Sequence, residues 1–228
     1  MEDKRSRVDI AFDYVVNELI EGHLQPGDRL PPEQELCTIL SISRNSLREA
    51  VKQMEVCGLV HIRRPEGTYI SETYNQKMLD PILYSIILQK NSWKDFIEMR
   101  RVLDIGTLSA VISSGRPLKH LDEMKAGVER MRQLFAEPEP DAKAVMACDA
   151  AFHELIEDEL GNTQISTVIS YITRLTIPSR TETIRKVIRD GETENFIALH
   201  EQLIDIVENR RGDLVVKAVS DHYRHWNA

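Results

Sequence analysis

One segment, residues 26–70, constrains the fold more than any other part of the chain. Two prolines followed by Glu33 favour the first turn of a helix, which we predict to end near Leu40. After a gap that has room only for a tight turn, Ser43 is a good N-cap for a second helix, predicted over residues 44–57. The segment therefore predicts a helix-turn-helix.

The second helix combines an apolar face with a cationic one, and a predicted β-hairpin follows it. Two β-rich runs, residues 59–62 and 68–70, flank a turn that contains Pro and Gly. That turn carries Arg63 and Arg64, which suit phosphates or a minor groove. Polar and cationic side chains in the first turn of the second helix are what reading of a DNA major groove requires. The alternative is a small helical domain with a solvated hairpin.

Three runs within this segment, PGDRLPPEQEL, SRNSLREAV and GLVHIRRPEGTYI, carry a resemblance. With them, most of residues 1–72 resembles the winged helix-turn-helix domain of the GntR family of bacterial regulators. The resemblance implies that contacts to bases and phosphates come from the recognition helix, the helix before it and the wing. Carried over to this sequence, those contacts fall on Gln34, Arg44, Asn45, Ser46, Arg48, Arg64 and Gly67.

The charge of the chain argues against general binding of polyanions. The net charge is −8, and residues 1–72 hold nine Lys and Arg against thirteen Asp and Glu. From Arg44 to Arg64, however, five basic residues face only two acidic ones. The positive charge is concentrated where the groove would lie, so we predict dependence on specific contacts and weak non-specific binding.

The chain has 228 residues, enough for one small domain and one of about 150 residues, each with its own core. We predict a DNA-binding domain over residues 1–72, a linker over 73–79, and a metal- and effector-binding, dimerising domain over 80–228. The predicted fold class is mainly α, with a winged helix-turn-helix and a small β-wing followed by an all-α bundle. The predicted helices cover about 8–21, 32–40, 44–57, 81–89, 93–114, 117–136, 141–160, 164–177, 180–189, 192–209 and 213–226.

The sequence also predicts the cellular compartment. No segment resembles a signal peptide, and the most apolar short run, residues 82–88, is too short to cross a bilayer. The chain has three cysteines, Cys37, Cys57 and Cys148, and none of them belongs to a CxxC motif. This odd number without a CxxC motif indicates reduced thiols. We therefore expect a cytoplasmic, nucleoid-associated protein without a membrane partner.

A second group of candidate site residues, which could bind a metal ion, lies in the helical part of the chain. Asp149 and His153 are four apart and would project from one face of a helix. His200 and His222 lie on later helices, each in an apolar context that otherwise disfavours imidazole. One carboxylate and three imidazoles that converge would suit Zn²⁺, Ni²⁺, Mn²⁺ or Fe²⁺. The alternative is a set of unrelated, hydrogen-bonded core histidines.

The runs DAAFHELIEDELGN, LHEQLIDIVENRRGD and DHYRH carry a second resemblance. With them, residues 80–226 resemble the ligand-binding FCD domain of the FadR-type branch of the GntR family. In the metal-containing members of that branch, an Asp and three His bind the ion in this order. The resemblance implies a metal site, with Zn²⁺ as the first candidate, at Asp149, His153, His200 and His222.

Arg100 is the candidate effector-binding residue. It lies four residues before Asp104 on a predicted helix, and the FCD resemblance places an Arg at this position near the ligand pocket. The planar fork of an arginine can donate two hydrogen bonds to a carboxylate, which indicates a small organic acid as effector. The alternative is a surface ion pair between Arg100 and Asp104, which would contribute little.

Together, these residues indicate a DNA-binding transcriptional regulator, a repressor of a metabolic operon controlled by a small carboxylate. We expect a homodimer on an inverted-repeat operator, since one recognition helix covers only a half-site. One alternative is a metal-dependent enzyme with a DNA-binding appendage. We expect no catalysis, because Glu154 is predicted to point away from His153 and Glu157 to be exposed. Another alternative is a regulator with a purely structural metal.

Overall fold

The structure is a computed structural model that describes residues 6–73 and 92–226. The chain divides into two compact units, Met1–Lys90 and Asn91–Ala228. The predicted helix over 81–89 lies outside the described residues, as does the predicted linker over 73–79 apart from its first residue.

The first unit has the predicted order of helices and strands. Ser6 caps its first helix in a capping box with Asp9, and the helix buries Ala11 and Val15. The C-cap of the second helix, Ser41, has φ of 53°, which turns the chain sharply into the third helix. The elements are α1 (Arg7–Ile20), α2 (Glu33–Leu40), α3 (Arg44–Val56), β1 (Val60–Arg63) and β2 (Gly67–Ile70).

The wing is an antiparallel hairpin in which Val60 pairs with Ile70. The segment before α2 joins the other edge of β2, since the backbone N–H of Leu30 donates to the carbonyl of Thr68 at 2.9 Å. The buried ends of the hairpin pack on α1–α3. This packing fixes the position of the wing beside the helix-turn-helix.

The second unit is a bundle of helices. Its α-helices are α4 (Ser92–Ser113), α5 (Leu121–Phe135), α6 (Ala142–Leu160), α7 (Thr163–Asp190), α8 (Thr193–Glu208) and α9 (Val215–His222). Short 3₁₀ turns, Gly212–Leu214 and Tyr223–Trp226, precede and follow α9. The core is apolar and runs through these helices, with Met124, Phe152, Ile184 and Val219 among its buried members. The predicted fold class, mainly α with a small β-wing, is confirmed.

The prediction of two helices over residues 164–177 and 180–189 is wrong. The chain forms the single helix α7, which runs through Pro178. Proline removes one backbone hydrogen bond from a helix interior, but the buried residues Ile172 and Ile184 pack on either side of it. Tertiary packing therefore outweighs the local break.

Within residues 6–73 and 92–226, no helix combines the length and the apolar character that a membrane span needs.

Candidate metal centre and DNA-binding surface

The first turn of α3 presents polar side chains to solvent. The Ser43 hydroxyl accepts a hydrogen bond from the backbone N–H of Ser46 at 3.1 Å, which confirms the predicted N-cap. Arg44, Asn45 and Arg48 are exposed, and Ser46 is half-buried against the cap. The opposite face of α3 is buried in the core of the unit. The helix is therefore anchored by one face and free on the face predicted to meet DNA.

The two arginines of α3 are each held by the start of α2. The Nη2 of Arg44 donates to the side-chain oxygen of Gln34 at 3.0 Å. The Nε of Arg48 donates to both carboxylate oxygens of Glu33, at 3.1 and 3.3 Å. The structure thus places Gln34 beside Arg44, and both side chains are exposed.

The tip of the wing lies across a cleft from the recognition helix. The cleft has a volume of about 570 Å³, and its lining includes Arg48 from α3 and Arg64 from the wing. Gly67 has φ of 138°, and a side chain there would begin 2.8 Å from the Nε of Arg29. The Arg29 side chain could move aside, but the positive φ itself favours glycine at this position.

The predicted metal-binding residues come together inside the second unit. Asp149 and His153 lie on α6, His200 on α8 and His222 at the end of α9, and all four are buried. Each offers one donor atom, and the four atoms lie within 4.8 Å of one another. Three separate helices therefore supply a compact set of one oxygen and three nitrogens.

The hydrogen bonds of His200 favour a metal ion over a simple polar core. Its Nδ1 lies 2.8 Å from the carbonyl oxygen of Phe196, which can only accept, so Nδ1 carries the proton. The Nε2 of a neutral ring is then an acceptor, and it lies 2.8 Å from the Oδ1 of Asp149. Two acceptors at this distance fit a shared cation. Among the described residues, the buried Nδ1 of His222 has no hydrogen-bond partner.

A buried arginine completes the environment of Asp149. The Nη2 of Arg180, on α7, donates to the other oxygen of Asp149. The guanidinium of Arg180 also lies over the ring of Trp226, with 5.1 Å between its central carbon and the ring centroid. Its Nε is buried and has no hydrogen-bond partner within the described part of the chain. Arg180 is 3% exposed, so its charge acts at low dielectric.

The protonation states of Asp149, His153 and His222 match those that a metal site needs. Burial alone would raise the pKa of Asp149, but the charge of Arg180 holds it well below its usual range. Burial lowers the pKa of His153 and His222 well below the usual value for histidine. A carboxylate and neutral imidazoles are the forms that bind metal ions.

Arg100 lies beside this cluster in a buried ionic network. Its Nε donates to Asp104 at 2.8 Å, its Nη2 to Glu157 at 3.0 Å, and its Nη1 to the hydroxyl of Thr173. Tyr223 donates to the second oxygen of Asp104 at 2.6 Å. The alternative of a surface ion pair is wrong, because Arg100 is 3% exposed.

A small cavity lies next to both the ionic network and the histidines. Its lining includes Asp104, Glu157 and Tyr223 of the network, and also His153 and His222. The volume is about 10 Å³, close to the minimum that holds one water molecule. A larger ligand therefore requires these walls to move apart.

The prediction that Glu157 is exposed is wrong. Glu157 is 5% exposed and lies one helical turn after His153, on the row of α6 that also carries Asp149. Burial raises its pKa to about 7, although Arg100 opposes the shift. The spacing of four residues from Asp149 to His153 to Glu157 was the signal that placed all three on one inward face.

Comparison with known proteins identifies both units. Residues 9–70 match the family described as "Bacterial regulatory proteins, gntR family". Residues 95–225, more than half of the chain, match the "FCD domain". The chain belongs to the GntR family, in the group that carries an FCD domain.

Individual GntR relatives extend over nearly the whole chain. The "HTH-type transcriptional regulator LutR" of Bacillus subtilis (strain 168) is 26% identical over 204 residues, 88% of this chain and 90% of its own. The "Uncharacterized HTH-type transcriptional regulator YieP" of Escherichia coli (strain K12) is 24% identical, over 92% of this chain and 89% of its own. The solved structure of a Streptococcus agalactiae GntR protein has a TM-score of 0.55 at 19% identity, with coverage of 96% and 98%, and supports the fold.

This GntR-family chain is a transcriptional regulator. The winged helix-turn-helix of the family implies DNA binding, and the FCD domain implies a small-molecule effector. Its named relatives are transcriptional regulators as well. Arg180 is the site residue that the sequence analysis missed, although its spacing from Thr176 and Ile184 places it on the buried face of α7.

Proposed function

We propose that this regulator is a metal-anchored acid sensor, a repressor whose affinity for its operator falls when a small carboxylate binds in the FCD domain. The observation that carries the proposal is the approach of His200 and Asp149. Two acceptor atoms face each other at 2.8 Å, with two further imidazoles beside them. A divalent ion bound there supplies a positive centre that holds a carboxylate oxygen.

The donor set supports an ion of intermediate softness. Three imidazole nitrogens and one carboxylate oxygen suit Zn²⁺, and also Ni²⁺, Mn²⁺ or Fe²⁺. In this proposal Asp149, His153, His200 and His222 hold the ion. The Nδ1–H of His200 keeps its ring oriented through the Phe196 carbonyl.

Two arginines are candidates for the second contact to the effector. In the proposal Arg100 binds the carboxylate, which requires it to exchange one of its present partners, Asp104 or Glu157. Arg180 is the further candidate, because its buried Nε has no partner in the described residues. An unpaired buried donor is costly, and an anion would remove that cost.

On the DNA side, we propose that a homodimer places two recognition helices on an inverted-repeat operator. The contacts come from the exposed side of α2–α3 and from the wing. The proposed contact residues are Gln34, Arg44, Asn45, Ser46, Arg48, Arg64 and Gly67. The effector acts by binding the two arrangements of the dimer with different affinity, typically by about 1–3 kcal/mol.

The alternative of a purely structural metal is favoured by the cavity volume of about 10 Å³, which leaves no space for an acid. A thermal-shift screen of small organic acids, with and without a chelator, separates the two functions. A sensor gains stability from an acid only when the metal is present. A structural site gains stability from the metal and is indifferent to every acid, which would reject the proposal.

Two variants test whether the two sites are separate. Arg44→Ala should weaken binding to a duplex that the wild-type protein selects from a random library by about tenfold or more. It should leave the metal content unchanged. His200→Ala should remove metal-dependent stabilisation, about 2.7 kcal/mol at a hundredfold excess of metal over its dissociation constant. DNA affinity measured without metal should be retained in this variant.

Fluorescence anisotropy on the duplex and elemental analysis of the purified protein provide the measurements. A change of less than threefold for Arg44→Ala would show that the recognition helix has been placed wrongly. Unchanged metal content in His200→Ala would show that the four-residue cluster does not hold the ion.

A further inference from the structure

The two arginines of the recognition helix have different partners. Arg44 is held by the neutral amide of Gln34, whereas Arg48 is held by the carboxylate of Glu33. Both pairs are exposed, and an exposed ion pair contributes little to folding. We therefore look for the role of the Glu33–Arg48 pair in DNA binding and not in the stability of the fold.

The geometry of the Glu33–Arg48 pair leaves the end of the arginine free. Both oxygens of Glu33 accept from Nε, at 3.1 and 3.3 Å. Among residues 6–73, the terminal nitrogens Nη1 and Nη2 of Arg48 form no hydrogen bond. These two nitrogens are the fork that donates to O6 and N7 of a guanine, or to a phosphate.

We propose that Glu33 is a specificity-determining residue of the DNA-binding surface. It orients the free fork of Arg48 towards the groove and adds a negative charge where every duplex brings phosphates. The repulsion applies to all DNA sequences, whereas the oriented fork compensates for it only at the matching base. Glu33 thus lowers non-specific affinity and widens the gap between specific and non-specific binding. The inference rests on the proposed DNA contacts of α3.

The test compares Glu33→Gln with Glu35→Gln. Both residues are exposed acids in the first turn of α2, so each variant loses one negative charge from the same turn. Of these two acids, only Glu33 forms an ion pair with Arg48 in the described part of the chain. Each protein is titrated by fluorescence anisotropy with the library-selected duplex and with a duplex of the same composition in which the selected bases are scrambled.

For Glu33→Gln we expect affinity for the scrambled duplex to rise by about fivefold, and the specific-to-scrambled ratio to fall by at least that factor. The salt dependence on the scrambled duplex should steepen by up to about 0.9 in log–log slope. Glu35→Gln should change both affinities by the same factor and keep the ratio.

Arg48→Ala separates failure of the inference from failure of the proposed surface. If Arg48→Ala weakens the selected duplex but Glu33→Gln behaves like Glu35→Gln, the role of Glu33 is wrong and the surface stands. If Arg48→Ala leaves the selected duplex unaffected, the proposed DNA contact of Arg48 is itself wrong. Both the role of Glu33 and the DNA contact of Arg48 are supported if two results are obtained. The specific-to-scrambled ratio must fall in Glu33→Gln but not in Glu35→Gln, and Arg48→Ala must weaken binding to the selected duplex.

Discussion

The two units of the chain use arginine in opposite ways. In the winged-helix unit, the side chain of Arg48 is 61% exposed and has one carboxylate partner. In the helical unit, Arg100 is 3% exposed and pairs with two carboxylates. An exposed arginine keeps donors available for a ligand that arrives from solvent, whereas a buried one balances charges of its own domain. Loss of the first should therefore change affinity, and loss of the second should change stability.

The largest expected effect is that of Arg180→Ala. Removal of the guanidinium leaves the buried carboxylate of Asp149 without its cation, which costs about 3–5 kcal/mol of unfolding free energy. Urea unfolding of the metal-free protein, followed by the helical circular dichroism signal, measures this loss.

Arg48→Ala is the matched control in the other unit, and its unfolding free energy should change by no more than about 0.5 kcal/mol. Arg180→Lys retains a positive charge and should recover part of the stability. If Arg180→Ala and Arg48→Ala were equally stable, the buried arginine would contribute no more to folding than the exposed one, and the comparison between the two units would be wrong.

The next largest effect is a pH dependence of the unfolding free energy that is caused by Glu157. Burial raises the pKa of Glu157 from 4.5 to about 7 in the folded protein. Below pH 4.5 the group is protonated in both states. As pH rises towards 7, the unfolded chain releases this proton more readily than the folded one, so the folded state loses stability.

Glu157→Gln removes this loss. The stability of the variant relative to wild type should therefore rise by roughly 3 kcal/mol between pH 4.5 and 7 and stay level above pH 7. Urea titrations at several pH values with a chelator present measure the difference. Glu154→Gln, an exposed neighbour on α6, should show no such trend. A flat profile for both variants would mean that Glu157 ionises normally within the bundle.

The smallest effect concerns the cap of the recognition helix. Ser43→Ala removes the hydroxyl that accepts from the backbone of Ser46 and should lower the unfolding free energy of the first unit by about 1 kcal/mol. Ser43→Asp keeps an acceptor and should retain wild-type stability. If the two variants lose equal stability in thermal melts, the cap does not stabilise α3.

Local patterns allowed most of the first unit to be predicted from the sequence. The N-cap Ser43, the bounds of α3 and the hairpin all follow from turn residues and helical spacing within a few positions. In the second unit, spacing placed Asp149 and His153 on one face, and the structure brings them to His200 and His222. Short-range rules suffice where partners are near in sequence.

The features of the second unit that were not predicted from the sequence depend on contacts between helices of the bundle. Pro178 indicated a break, yet packing on both sides keeps α7 continuous. Glu157 was predicted to be exposed, but Arg100, fifty-seven positions away, pairs with it in the core. Arg180 was missed for the same reason, since its partner Asp149 lies on another helix. Helical periodicity indicates which residues share a face, not what faces them.

The cavity between Glu157 and the histidines has a thermodynamic consequence for ligand binding. With room for about one water, the described conformation of the cavity does not hold an organic acid, so under the proposed function an acid would bind only molecules in which the cavity is open. The apparent dissociation constant then equals the intrinsic one divided by the fraction of molecules that are open. Substitutions that trim the cavity wall would increase this fraction, and they would tighten binding without adding a single contact to the ligand.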